Sequence, residues 1–129
     1  MEGKAIEEEK KLPKIIGAYN EQGFSKVSKF FGKIGGDMVE VSDPRTAEFI
    51  KLIDNSWRNT RFAFANDLAY LAENNKIDVL EAIESANKDY ERNAIPIPGP
   101  VSGYCLGKDP YLLEIAFKDI AEKRGFNSV

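Results

Sequence analysis

The stretch that most constrains the fold runs from residue 46 to about residue 75, T-A-E-F-I-K-L-I-D-N-S-W-R-N-T-R-F-A-F-A-N-D-L-A-Y-L-A-E-N-N. Ile50, Ile53, Trp57, Phe64, Leu68 and Leu71 recur at steps of three, four or seven residues, the spacing of one face of an α-helix. A second row, Phe49, Leu52, Phe62, Ala63 and Ala65, falls partly outside that face. A helix with apolar side chains on more than one side is expected to lie between its own domain and a second body. Lys51 and Asn55, four residues apart, are neighbours on its surface.

The rest of the chain makes one ordinary domain or a little more. Its 129 residues, 43% apolar and 30% charged, allow a compact core and contain no apolar run long enough to cross a bilayer. A net charge of −3, with Lys and Arg interleaved among Asp and Glu, speaks against a nucleic-acid binder. It leaves room for one basic pocket that takes a small anion. There is no histidine and only one cysteine, so no internal disulfide and no metal site are expected. Any acid or base must be a carboxylate, lysine, tyrosine or thiol. The first eleven residues, M-E-G-K-A-I-E-E-E-K-K, form a charged strap or short helix without the apolar core of a signal peptide, which predicts a cytoplasmic protein.

After Pro13, K-I-I-G-A-Y reads as a short strand, Phe24, Val27, Phe30 and Phe31 as a helical stripe, and D-M-V-E-V-S as a second strand. Strand, helix and strand in about thirty residues make a βαβ unit, and two parallel strands alone make a poor sheet. The chain therefore reads as a piece of something longer. The glycines of G-K-I-G-G follow the helix and precede the strand, the reverse of a phosphate-binding loop, and are helix-ending turns. Asp43-Pro44 opens the long helix, and Asp78 with Glu81 caps another that turns Val79, Ile83 and Ala86 inward. Residues 89–108 read as a loop with several prolines and glycines. Asp109-Pro110 then reads as cap and first position of a last helix over residues 111–124, closed by Gly125, with Leu112, Leu113, Ile115, Ala116 and Ile120 on its apolar side.

A loop of twenty residues in a compact domain is usually functional. Cys105 within it stands near Lys108 and a helix start, a setting that favours thiolate chemistry, although a lone cysteine is more often a buried apolar side chain. Asp109 alone is a cap, and Lys51 and Asn55 alone are solvated. Together, a thiol and carboxylate at C-x-x-x-D spacing and a K-x-x-x-N pair are the parts for covalent catalysis on a carbonyl. Cysteine attacks, lysine and amide hold the oxyanion, and the carboxylate activates water.

T-A-E-F-I-K-L-I-D-N with A-F-A-N-D downstream, then P-G-P-V-S-G-Y-C-L-G-K-D-P, resembles the central domain of the UDP-glucose and UDP-N-acetylmannosamine dehydrogenases over about residues 13–117. These enzymes oxidise a UDP-sugar 6-alcohol to the 6-carboxylate with NAD through a thioester on the enzyme. The resemblance implies Cys105 as nucleophile, Lys51 and Asn55 at the oxyanion, and Asp109 assisting water or holding Lys51. It adds Arg58, Gly103 and Lys108 as substrate-binding residues, with Arg58 closer to the N-acetylhexosamine branch. Arg92 matches an arginine that reaches a sugar nucleotide across a dimer. The family's G-x-G-G before the cysteine is reduced here to Val101, Ser102 and Gly103, Asp67 replaces a glutamate, and Tyr104 stands where that branch tends to have histidine.

The fold implied is mainly α, a long central helix with shorter helices, preceded by the βαβ remnant of a Rossmann-like dinucleotide-binding domain. Residues 1–42 would belong to that NAD-binding domain and residues 43–129 to the dimerisation domain with the cysteine loop. On this reading NAD serves the parent enzyme and none is expected on the piece alone, which would be an inactive fragment forming a homodimer through the long helix. The rival reading is a non-catalytic helical dimerisation module in which Cys105 and Asp109 are structural.

Overall fold

In the computed structural model, residues 4–101 and 103–124 are described. Expectations placed on Ser102 and Gly125 lie outside them, as does the side chain of Ile120. The elements are α1 (Ala5–Lys11), β1 (Lys14–Gly17), α2 (Glu21–Phe31), β2 (Met38–Val41), α3 (Pro44–Asn74), α4 (Val79–Asn87) and α5 (Tyr104–Arg124). The chain divides into two compact units, Met1–Lys51 and Leu52–Val129, and α3 begins in the first and continues in the second.

In the first unit β1 and β2 pair in parallel, Lys14 opposite Met38 through Gly17 opposite Val41, with α2 as the connection. Asn20 starts α2 by accepting the Gly23 N–H on its side chain at 2.8 Å. Gly35 and Gly36 have φ of +111° and +84°, which an L side chain resists, and a Cβ on Gly36 would strike the Leu12 carbonyl. They are turn residues that let the chain before β1 pass close by. Among the described residues of this unit, Ile16 is the buried apolar side chain. Asp43 caps α3 by accepting the Thr46 N–H at 2.8 Å.

In the second unit the apolar side chains fully buried among the described residues are Ala65, Ala72 and Ile83. The compact core that the composition allows is thus thin. Of the α3 row at helical spacing, Ile53, Trp57, Phe64 and Leu71 are exposed and Ile50 and Leu68 half-buried, while Asn55, Ala65 and Ala72 face inward. Small and amide side chains let neighbouring backbone come close, and large ones hold it away. Asp78 caps α4, accepting from the Leu80 and Glu81 N–H groups at 2.9 and 3.2 Å. Val79, Ile83 and Ala86 face Leu68, Leu71, Ala72 and Ile95 around an apolar cleft of about 280 Å³.

Residues 89–101 carry no helix or strand, but side chains hold them. Asn66 clamps Gly99 through both backbone groups, Nδ2 donating to its carbonyl at 3.1 Å and Oδ1 accepting its N–H at 2.8 Å. Asn87 does the same to Ile95, at 2.8 and 3.0 Å. Asn93 donates to the Ala86 carbonyl at 2.8 Å, and the Arg61 guanidinium donates to that of Ala94.

The largest departure from the sequence reading is α5. It begins at Tyr104, so Asp109 is inside it and does not cap, and Pro110 is within the helix rather than at its first position. The first turn closes with the Gly107 N–H on the Gly103 carbonyl at 3.2 Å. The Asp109 carboxylate is held by other side chains and is not turned to a free helix end. Leu112, Ile115 and Phe117 on α5 are exposed.

Candidate active site

Asn55 and Asp109 are the buried polar residues among those described, 4% and 1% exposed, and they meet. Asn55 Nδ2 donates to Asp109 Oδ2 at 2.5 Å, joining α3 to the first turns of α5 across 54 positions of sequence. A carboxylate out of water needs donors on its oxygens, and an amide supplies one without adding charge. The second oxygen, Oδ1, accepts from Lys108 Nζ at 2.6 Å. The Lys108 side chain is 64% exposed. The hydrogen bond to Asp109 raises its pKa, followed by the charge of Asp109, which together outweigh desolvation. Lys108 is therefore a held cation at the water-facing end of the pair.

Cys105 is exposed and is the second residue of α5. The C-x-x-x-D spacing becomes one helical turn, which puts thiol and carboxylate on the same side of α5. Its exposure removes the reading of Cys105 as a buried apolar side chain. Gly103, just before the helix, has φ of +107° and open space where a Cβ would stand, so the backbone rather than crowding favours glycine there. A hollow of about 350 Å³ lies beside the same turn, lined by Asn59, Val101, Leu106, Gly107, Pro110, Tyr111 and Glu114.

The structure thus gathers Asn55, Asp109 and Lys108 and carries Cys105 one turn away. Lys51 is exposed one turn before Asn55 on α3 and belongs to the first compact unit, and Arg58 is exposed on α3. Arg92 stands with its guanidinium 5.7 Å from the Tyr90 ring centre and lines a hollow of about 390 Å³ with Trp57, Arg61 and Phe64. Asn66, Asn87 and Asn93 were not singled out by sequence reasoning. For Asn66 and Asn87 the available signal was asparagine, a poor helix former, inside or at the end of a helix beside a loop rich in proline and glycine; Asn93 lies in that loop.

The residues described do not make a dinucleotide cradle. The β1–α2 turn, Ala18, Tyr19 and Asn20, has no glycine, and Gly32, Gly35 and Gly36 come after α2. No group of three or more Cys, Asp or Glu among the described residues could hold a metal ion, and no helix is long and apolar enough to cross a membrane.

Residues 45–127 match the UDP-glucose/GDP-mannose dehydrogenase family, central domain. The chain is 37% identical over 114 residues to the UDP-N-acetyl-D-mannosamine dehydrogenase of Pyrococcus horikoshii, covering 88% of this chain and 27% of that protein. It is 32% identical over 112 residues to the Escherichia coli enzyme of the same name, covering 86% and 26%. The solved Pyrococcus horikoshii structure superposes with a TM-score of 0.78 at 37% identity, over 87% of this chain and 27% of that one. A UDP-N-acetyl-mannosamine dehydrogenase from Staphylococcus aureus gives 0.72 at 37%, over 93% and 29%. The chain spans about a quarter of the length of these relatives. With the matched segment covering most of the chain, it belongs to the UDP-glucose/GDP-mannose dehydrogenase family.

Proposed function

We propose that this chain is the central portion of a nucleotide-sugar 6-dehydrogenase that oxidises a UDP-sugar of the UDP-N-acetyl-D-mannosamine or UDP-glucose type to its 6-carboxylate. The observation that carries the reading is the buried Asn55–Asp109 pair one turn from an exposed thiol. A purely structural cysteine has no need of an exposed position beside a desolvated carboxylate.

In this reading Cys105 adds to the C6 aldehyde to give a thiohemiacetal, and oxidation of that adduct leaves a thioester. Attack by water breaks the C–S bond, releasing the carboxylate and returning the thiol. Asn55 and Lys51 hold the oxyanion formed when sulfur or water adds to the carbonyl. Asp109 takes the proton of the attacking water or keeps Lys51 in place. Arg58, Gly103 and Lys108 bind the substrate. NAD is the electron acceptor in the parent enzyme, and no hydride step is assigned to the residues described here, which lack a cradle for it. The functional division falls after residue 42, residues 1–42 going with the cofactor domain and residues 43–129 with the dimerisation domain. The longer enzyme is a cytoplasmic homodimer joined through α3, and the piece alone is inactive.

In the longer enzyme Cys105→Ser is expected to abolish carboxylate formation, read by product analysis with the UDP-sugar and NAD. Carboxylate released at the normal rate would sink the assignment.

A further inference from the structure

Asn55 and Asn66 lie eleven residues apart on α3. Eleven residues turn a helix to within about 20° of the same direction and advance it by about 16 Å, so the two amides share one stripe. Each holds one end of the same returning segment. Asn66 grips both backbone groups of Gly99, and Asn55 grips the Asp109 carboxylate. Cys105 lies between the anchors. The turn that carries it lacks one backbone bond, because Pro110 supplies no N–H to the Leu106 carbonyl, and the residue before it, Gly103, sits at positive φ. A single bond to Gly99 would leave the segment free to swivel. Two fix both its place and its direction.

We infer that Asn66 is a positioning residue for Cys105, acting through Gly99 to set where the first turn of α5 lies along α3. The inference rests on the reading of Cys105 as the nucleophile. Asn87 supplies the built-in comparison, since it makes the same two-bond clamp on Ile95, farther along the chain from Cys105. A clamp that merely steadies the loop would make the two asparagines equivalent.

The test is alkylation of Cys105 in the 129-residue chain at about pH 7.5 with iodoacetate and iodoacetamide in parallel. Lys108, three residues on and bonded to Asp109, is the cation nearest the thiol in sequence, and its pull on the anionic reagent depends on the turn between them, so the ratio of rates reads the geometry of the turn. Asn66→Ala is expected to lower that ratio about threefold or more, the size of an exposed charge interaction, toward the value in denaturant. Asn66→Ala and Asn87→Ala are expected to lower the melting temperature by similar amounts, and Asn87→Ala to leave the ratio unchanged. An unchanged ratio in Asn66→Ala, or equal falls in both variants, overturns the inference. Should Asn66→Ala fail to fold, Asn66→Gln keeps the amide but displaces it by one methylene. A lowered ratio in it supports the positioning role, and a wild-type ratio overturns it. Failure of the nucleophile reading would appear separately, as carboxylate formation by Cys105→Ser in the longer enzyme with the alkylation ratios as expected.

Discussion

The Asn55 amide decides how a carboxylate survives out of water. Asn55→Ala removes a donor from a buried Asp109 oxygen and is expected to cost about 1–3 kcal/mol, read by denaturant unfolding. Asn55→Asp would set two carboxylates side by side, of which one must take a proton. The folded pKa of that pair is raised above the unfolded value, so this variant should gain stability as pH falls from neutrality. A loss of stability over the same range would show that the two side chains do not meet. Asp43 has the opposite sign. The Thr46 N–H, helped by Arg45, outweighs desolvation and lowers its pKa. Its contribution is present above the unfolded value near ~4 and is lost as pH falls through the folded one. The difference in melting temperature between wild type and Asp43→Ala should therefore be full near neutrality and shrink in acid. K-x-x-x-N and C-x-x-x-D were legible in the sequence because one helical turn leaves a spacing. The grips of Asn66 on Gly99 and Asn87 on Ile95 join side chain to backbone and leave none.

At the scale of elements, the βαβ unit, α3 and α4 were readable because periodicity and caps are local, and Asp78 behaves as a cap residue should. Asp78→Ala is expected to cost about 1 kcal/mol, read by thermal unfolding. The start of α5 was not readable. Asp-Pro after a glycine-rich stretch is a strong local sign of a helix beginning, and here it loses to a tertiary bond, because the Asp109 side chain is held by α3. The helix starts at Tyr104, seven residues before the start the cap reading gave it, and Pro110 stays inside it with one backbone bond missing. Pro110→Ala restores that N–H and should stabilise α5 by up to roughly 3 kcal/mol, with a rise in helical circular dichroism. A fall in both would mean that the ring is needed to shape the turn bearing Cys105.

Among the described residues, more large apolar side chains are exposed than buried. Ile53, Trp57, Phe64 and Leu71 form an exposed stripe at helical spacing on α3 rather than scattered exposure, the kind of patch that interaction surfaces use. The proposed homodimer accounts for it. Light scattering at micromolar concentration should give a dimer mass, and Trp57→Glu should give the monomer. A monomeric wild type would remove the dimer from the reading. The face of α3 that meets water could not be chosen from the sequence, because periodicity locates a stripe without saying what covers it. The asparagine clamps carry a consequence for how chains of this kind can diverge. Surface connections ordinarily absorb insertions and deletions with ease. Between Ile95 and Gly99 the two grips fix the number of residues as well as their path. One residue more or fewer there would force one amide to let go, so length in this stretch should vary less than identity, and a deletion scan should find it as intolerant as a buried strand.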